Sequence, residues 1–129
     1  MSSKATEFLK AAGTFYIATV EGDQPRVRPF GAVAEIDGKT YLSMNKTKKV
    51  FAQLIANPKA EITGMIGADW FRLSGKLVHD DSDEARKKMI EANPNVGGMY
   101  KFDDGIFAVF YFEEVHGVLE SFAGKKEEF

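Results

Sequence analysis

The Asp37-Gly38 dipeptide is the sequence feature that most constrains the fold, because it stands between two extended segments. Residues 32–36 precede it and residues 40–44 follow it, and apolar and β-branched side chains recur in both. An Asp-Gly pair in a two-residue loop is a strong signal for a tight turn between antiparallel strands. The sequence therefore predicts an antiparallel β-hairpin at this point.

Turn residues separate further extended segments along the chain. Glu21-Gly22-Asp23 supplies turn chemistry between residues 15–20 and residues 25–33. Pro29 and Gly31 indicate an edge strand, a bulge or the close approach of a ligand, because proline offers no ladder donor and glycine leaves space. The other predicted strands are residues 60–66, 70–78, 106–112 and 115–122.

Helix signals occur at three places between these strands. Ser2 or Ser3 caps a short first helix, Thr47 begins a second, and Asp80-Asp81-Ser82-Asp83 introduces a third. Runs of strands interrupted by a few helices are typical of an α+β domain. We therefore predict a mainly antiparallel fold in which six or seven strands form a closed sheet, with two to three flanking helices.

Composition narrows the class of protein. The 129 residues are 44% apolar, enough for a single domain, 1–129, with its own core. The net charge of −2 gives no general attraction to nucleic acid or to an acidic membrane, and the absence of cysteine excludes thiolate metal sites. No apolar run approaches the ~18 residues that span a bilayer, and the first residues lack an export signal, so we expect a cytoplasmic protein.

The most informative stretch for function is the helix start at Thr47. Thr47 is predicted as the N-cap, with Lys48 and Lys49 in the first turn. Cations at a helix N-terminus oppose the helix dipole at a cost of roughly 0.3–1 kcal/mol each, which a bound anion reverses. The stretch is therefore a candidate phosphate cradle, and the alternative is a pair of solvated lysines.

Two arginines lie close to this turn in the predicted sheet. Arg26 and Arg28 share one face of a strand with Phe30, by the strand period of two. Because the hairpin at Asp37-Gly38 folds the strands side by side, these arginines can converge with Lys48 and neutralise a phosphate dianion. The alternative is a set of solvated charges on a mixed sheet surface.

These motifs together carry a resemblance to a known family. Four motifs follow one another in the stretch FYIATVEGDQPRVRPFGAVAEIDGKTYLSMNKTKKVFAQLIANP. They are a strand pair A-T-V-x-G-D-Q-P-R-V-R-P, a D-G hairpin, a Thr-Lys-Lys helix start and a closing N-P. The stretch resembles the pyridoxamine 5′-phosphate oxidase-like, FMN-binding split β-barrel family, and its small general-stress and nitroreductase-like members in particular. The resemblance covers residues 14–78 well. It implies a six-stranded split β-barrel of Greek-key type, a homodimer, and FMN bound in clefts at the dimer interface.

The resemblance also implies which residues bind the cofactor. Arg26 lies where the family has a strand arginine facing the FMN phosphate, and Thr47, Lys48 and Lys49 match its phosphate turn. Trp70 stands where the vitamin-synthesising members have a glutamine that contacts the flavin; the indole can cover a ring edge, build the dimer contact or lie in the core. The implied residues that border the flavin are Val27, Arg28, Pro29, Phe30, Ser43 and Met44.

The departures from the family pattern bear on activity. Gly31 replaces a lysine of the biosynthetic oxidases, and the residues from Gly124 lack their arginine-containing terminal segment. The resemblance therefore does not extend to oxidation of pyridoxamine phosphate. It implies an FMN-dependent oxidoreductase for an unidentified small molecule and electron acceptor. The alternative is a non-enzymatic module that stores or senses FMN, haem or a deazaflavin.

The sequence offers no catalytic acid or base and no metal site. His79 and His116 are the only histidines, and neither has the spacing of a metal-ligand motif. In a flavoprotein the cofactor carries the chemistry while the protein binds and orients it. The candidate site residues are therefore binding residues, and no catalytic residue is assigned.

Overall fold

The structure, a computed structural model, describes residues 3–129. Ser3 caps the first helix by accepting a hydrogen bond from the Thr6 N–H, while Ser2, the alternative cap, lies outside the described residues. The helices are α1 (Lys4–Ala12), α2 (Lys49–Ala56), α3 (Asp83–Ala92) and α4 (Pro94–Gly97). The strands are β1 (Phe15–Glu21), β2 (Gln24–Phe30), β3 (Val33–Ile36), β4 (Lys39–Asn45), β5 (Lys59–Ile66), β6 (Asp69–Asp80), β7 (Phe107–Ser121) and β8 (Lys126–Glu128).

All the strands belong to one antiparallel sheet in the order β2-β1-β5-β6-β7-β4-β3, and β8 pairs with β7. The predicted α+β, mainly antiparallel class is confirmed. The predicted strand and helix counts are wrong, because the described chain contains eight strands and four helices. One extra strand is β8, whose backbone pairs with Val118, Leu119 and Glu120.

The sheet is not closed, contrary to the prediction from the sequence. Its hydrogen-bonded order begins at β2 and ends at β3, and residues 31–32 join these two edges directly. An edge position suits β2, because Pro25 and Pro29 have no N–H to give to a neighbouring strand. The edge-strand reading of Pro29 is confirmed.

The Asp37-Gly38 hairpin is confirmed. Both residues have positive φ, 52° and 78°, as the central positions of a type I′ turn require. Ile36 pairs with Lys39 directly across the turn, which sets the register of β3 and β4. The hairpin thereby delivers β4 to the start of α2.

Two hydrophobic cores lie on opposite sides of β4 and β7. The larger core includes Leu42 and Phe110, with residues from α1, α2 and the other strands. The smaller core includes Tyr41 and Val109, covered by α3 and α4. Alternate residues of the two strands thus face different cores, as the strand period dictates. None of the described helices combines the length and the apolar content needed to cross a membrane.

The predicted strands at residues 106–112 and 115–122 form one strand, β7, with an irregularity in its middle. Its register with β6 shifts between Ser74 and Lys76, and Glu114 has a positive φ of 54°. Gly75 lies at this shift, where a Cβ atom would be 2.7 Å from the Glu113 carbonyl oxygen. A glycine here allows the two backbones to approach closely.

We predict that Gly75→Ala lowers the free energy of unfolding by about 1–3 kcal/mol, because the methyl group overlaps a backbone oxygen that cannot move away alone. Urea denaturation measures the change. Gly31→Ala is the matched control, since its Cβ would lie at an ordinary contact distance of 3.6 Å from the Gly13 carbonyl oxygen. Equal stability of the two variants would contradict the assignment of Gly75 as a required close approach.

Candidate functional site

A cavity of about 870 Å³ opens at the end of β4, between the two cores. This volume lies within the range of small-molecule binding sites. The link between β2 and β3, the end of β4 and the start of α2 form one side, and the end of α3, α4 and the following loop form the other. The lining residues are 28–32, 43–45, 48–50, 92–96, Met99, Tyr100 and Phe107.

Positive charge lines one end of this cavity. Arg28, Lys48 and Lys49 are the charged residues of the lining, and none has a carboxylate oxygen within 4 Å among residues 3–129. By contrast, Arg26 pairs with Glu21 at 2.8 Å. Three cations without an anionic partner on one cavity wall form an electrostatic site for an anion.

Arg28 is held in this wall by neutral acceptors. Its Nη1 donates to the Ile17 carbonyl oxygen at 3.1 Å and to Thr19 Oγ1 at 2.8 Å, and its Nη2 donates to Gln53 Oε1 at 2.8 Å. Burial, with a smaller effect of Arg26, lowers the pKa of Arg28 from its ordinary value. The guanidinium still carries its charge at neutral pH, because an arginine side chain does not lose its proton in proteins. Of its five N–H donors, two remain for an anion.

Gln53 joins Arg28 to α2. Its side chain is buried, and Oε1 accepts from Thr19 Oγ1 at 2.6 Å as well as from Arg28. Gln53 also follows Lys49 by four residues, which puts the two on neighbouring turns of one helix face. The sequence analysis missed Gln53. The sequence signal that could have identified it is a polar glutamine on the helix face that also carries the buried Val50 and Leu54.

The start of α2 differs from the predicted one. Lys48 is the N-cap residue, no side chain caps the helix, and Lys49 begins its first turn. Thr47 lies one residue before the cap position, and its backbone N–H and its hydroxyl both donate to Asn45 Oδ1, at 2.8 and 2.6 Å. The first backbone N–H groups of α2 therefore have no side-chain acceptor, an arrangement that favours an anion.

The part of the lining that comes from the end of α3, α4 and the following loop is uncharged. Tyr100 packs on Phe107 with ring centroids 5.4 Å apart, and its hydroxyl lies 3.2 Å from Asn45 Nδ2. Asn93 donates through its side chain to the carbonyl oxygens of Val33 and Met89, which holds the corner between α3 and α4. None of these residues was among the site residues predicted from the sequence.

The structure brings seven of the eleven predicted site residues to the cavity and leaves four outside its lining. Arg26 is bound by Glu21, Val27 is 69% exposed on the outer face of β2, and Thr47 binds Asn45. Trp70 packs against Phe122, with ring centroids 4.6 Å apart. The seven at the cavity are Arg28, Pro29, Phe30, Ser43, Met44, Lys48 and Lys49.

Metal-binding side chains do not cluster in the described part of the chain, where no three His, Cys, Asp or Glu residues could hold an ion. His79 lies between the rings of Phe51 and Phe110 and does not line the cavity. Burial lowers the pKa of His79, and its Nε2 has no hydrogen-bond partner among residues 3–129. His79 is therefore a half-buried residue packed on aromatic rings, outside the cavity.

Comparisons with known proteins agree with the fold. The family model described as pyridoxamine 5′-phosphate oxidase matches residues 1–110. A NimC/NimA family protein from Clostridium acetobutylicum is 51% identical, with a TM-score of 0.92 over 98% of this chain and 91% of that one. This likeness confirms the predicted split-barrel fold. No curated protein matches the chain.

Two more distant structures share the fold. One is a pyridoxamine 5′-phosphate oxidase-related, FMN binding protein from Nostoc punctiforme PCC 73102, 16% identical, with a TM-score of 0.65 over 95% of this chain and 82% of that one. The other is a heme binding protein from Mycobacterium smegmatis, 17% identical, with a TM-score of 0.76 over 100% of this chain and 58% of that one. At these identities the likeness concerns the fold alone.

We predict that Gln53→Leu lowers the free energy of unfolding by about 1–3 kcal/mol, because the buried Thr19 hydroxyl and the Arg28 guanidinium each lose an acceptor. Urea denaturation measures the loss. Gln24→Leu is the matched control: Gln24 is exposed and bonds only to the adjacent Pro25 carbonyl, so a change within about 0.5 kcal/mol is expected. A Gln53→Leu protein as stable as this control would contradict the bridging role of Gln53.

Proposed function

The chain belongs to the pyridoxamine 5′-phosphate oxidase family and shares the NimC/NimA family with its 51%-identical relative, and we propose that it binds FMN in the cavity at the end of β4. The observation that carries this proposal is that Arg28 and, at the uncapped start of α2, Lys48 and Lys49 line one cavity, and that none of the three forms an ion pair within 4 Å among residues 3–129. A phosphate monoester supplies the missing negative charge.

The cavity residues fit the two parts of FMN. The phosphate would lie against Arg28, Lys48 and Lys49, whose free donors have no acceptor among residues 3–129. The ring system would lie toward the apolar and aromatic lining, which includes Met44 and Phe107. Mostly apolar walls with a few polar groups at one end are typical of cofactor sites. Arg26, Val27, Thr47 and Trp70, which resemblance also assigned to FMN, remain outside this lining.

FMN is favoured over haem by the same lining. Histidine is absent from the described cavity walls, and the half-buried His79 does not line them, so the commonest axial ligand of haem iron has no candidate there. An isoalloxazine ring needs no such ligand. It needs a shaped slot and hydrogen-bond donors for its carbonyl oxygens, which the chain's own residues supply.

The proposed activity is oxidoreduction of an unidentified small molecule. Bound FMN supplies hydride or electron transfer. The chain's residues would bind and orient the cofactor, and the positive end of the cavity would hold its phosphate. No carboxylate or histidine lines the described walls, and no residue of the lining is assigned as a catalytic acid or base.

The dimer implied by the family is proposed to form through the outer face of β1, β2, β5 and β6. Large apolar side chains stand exposed there: Val27 is 69% exposed, Met65 52% and Phe122 86%. Met65 pairs with Trp70 across the β5 and β6 ladder, so both belong to this face. Exposed apolar area of this kind marks an interaction surface. Because β2 carries Val27 outside and Arg28 in the cavity, a second copy on this face would adjoin the site.

We predict that Lys48→Ala/Lys49→Ala raises the Kd for FMN at least about tenfold, because it removes two of the three cations at the phosphate end. The Kd for riboflavin, which lacks the phosphate, is expected to stay within about twofold of wild type. Quenching of flavin fluorescence during titration measures both constants.

The control for this experiment is Lys125→Ala/Lys126→Ala, which removes an exposed adjacent lysine pair far along the chain from the cavity lining. Its FMN affinity is expected to equal that of wild type. If Lys48→Ala/Lys49→Ala weakens the binding of FMN and of riboflavin equally, the phosphate assignment is wrong. It is also wrong if the variant leaves both Kd values unchanged. A wild-type protein that does not bind FMN would overturn the proposed function.

Turnover separates the enzyme from the non-enzymatic binding module. The absence of a carboxylate or a histidine from the described lining favours the module as the second candidate. The FMN-loaded protein would be reduced without oxygen and mixed with a nitroaromatic compound or a quinone. Reoxidation faster than that of free reduced FMN under the same conditions supports an oxidoreductase. Reoxidation no faster than that of free FMN supports the module.

A further inference from the structure

The hydrogen bonds of Thr47 fix the orientation of the Asn45 side chain. The Thr47 backbone N–H lies 2.8 Å from Asn45 Oδ1 and can only donate, so the atom that faces it must be the amide oxygen. The Thr47 hydroxyl donates to the same oxygen at 2.6 Å. The amide nitrogen of Asn45 is therefore directed to its other partner, Tyr100.

The orientation of Asn45 in turn fixes the role of the Tyr100 hydroxyl. Asn45 Nδ2 has only hydrogens to offer, so at 3.2 Å it donates and Tyr100 Oη accepts. The proton of the Tyr100 hydroxyl is then free to bond elsewhere, and no acceptor for it occurs among residues 3–129. Packing on Phe107 holds the tyrosine ring in the cavity wall.

The surroundings of Tyr100 select the kind of acceptor. The two groups that the structure places against its side chain, the Asn45 amide and the Phe107 ring, are both uncharged. A second anion here would lose its hydration without gaining a cation. An uncharged oxygen acceptor needs only the one donor that Tyr100 provides.

We propose that Tyr100 is a binding residue that donates a hydrogen bond to an uncharged carbonyl oxygen of the molecule in the neutral end of the cavity, and that Asn45 is its positioning residue. The proposal rests on the proposed function and extends it to the second half of the same cavity. The carbonyl belongs either to the ring of the flavin or to a carbonyl-bearing substrate such as a quinone.

The first test compares wild type with Tyr100→Phe. Riboflavin is titrated onto the flavin-free protein, and duroquinone, an uncharged dicarbonyl, is titrated by equilibrium dialysis onto protein with and without FMN. A rise of roughly 3- to 10-fold in the Kd for riboflavin assigns the bond to the flavin carbonyl. The same rise for duroquinone alone assigns it to the substrate. Tyr111→Phe is the control, since Tyr111 packs on Tyr41 and does not line the cavity.

Asn45→Asp tests the direction of the hydrogen bond without removing the tyrosine. Its second carboxylate oxygen would accept the Tyr100 proton, so the hydroxyl could no longer donate to a ligand. Asn45→Asp is therefore expected to raise the Kd for the same probe as much as Tyr100→Phe does. The double variant Asn45→Asp/Tyr100→Phe should raise that Kd no further. A role of Asn45 in packing alone would leave Asn45→Asp close to wild type, because the two side chains have nearly the same shape.

Each remaining outcome separates this proposal from the proposed function. Wild-type affinity of Tyr100→Phe for both probes would overturn the proposal and leave FMN binding intact. A wild-type protein that binds duroquinone but no flavin would overturn the proposed function alone, and the duroquinone arm would still decide the role of Tyr100. A protein that binds neither probe would overturn both.

Discussion

The hydrogen bonds of Arg28 are the interaction on which the proposed site depends. The side chain starts on an edge strand, crosses β1 at Ile17 and Thr19, and reaches Gln53 on α2. One guanidinium thus ties together a hairpin and the helix whose uncapped start forms the rest of the cationic wall. Because all its protein partners are neutral, its charge is oriented without being cancelled. Hydrogen bonding that fixes a charge and leaves it uncompensated is preorganisation for an anion.

A division of charge gives the cavity its chemical character. Arg28, Lys48 and Lys49 supply positive charge on one side, while Tyr100 and the corner between α3 and α4 supply only neutral groups on the other. Asn45 joins the two, because its side chain is bonded both to Thr47 beside the helix start and to the Tyr100 hydroxyl. A molecule with a phosphate at one end and a ring with carbonyl groups at the other matches this division, which is the basis for proposing FMN and a carbonyl partner for Tyr100.

Local signals predicted the elements of this fold well. Asp37-Gly38 specified its hairpin because few residues tolerate two successive positive φ values, and Lys48-Lys49 stood out because cations are unfavourable at a helix start. Such local signals could not show which of Arg26 and Arg28 lines the cavity. The strand period gives both the same face, and only the folded hairpin places Glu21 where it neutralises Arg26. Thr47 failed as a cap because the helix begins one residue later than the motif predicts, with Lys48 at the cap position. The wall at Tyr100 depends on contacts between segments distant in sequence, which no short motif encodes.

The most direct test of the central claim is a crystal structure of the protein grown with FMN. The account predicts that phosphate oxygens lie within hydrogen-bond distance of the free N–H groups of Arg28 and of the first backbone N–H groups of α2, with Lys48 and Lys49 alongside. A phosphate bound instead at Arg26, or FMN bound outside the cavity at the end of β4, would contradict it.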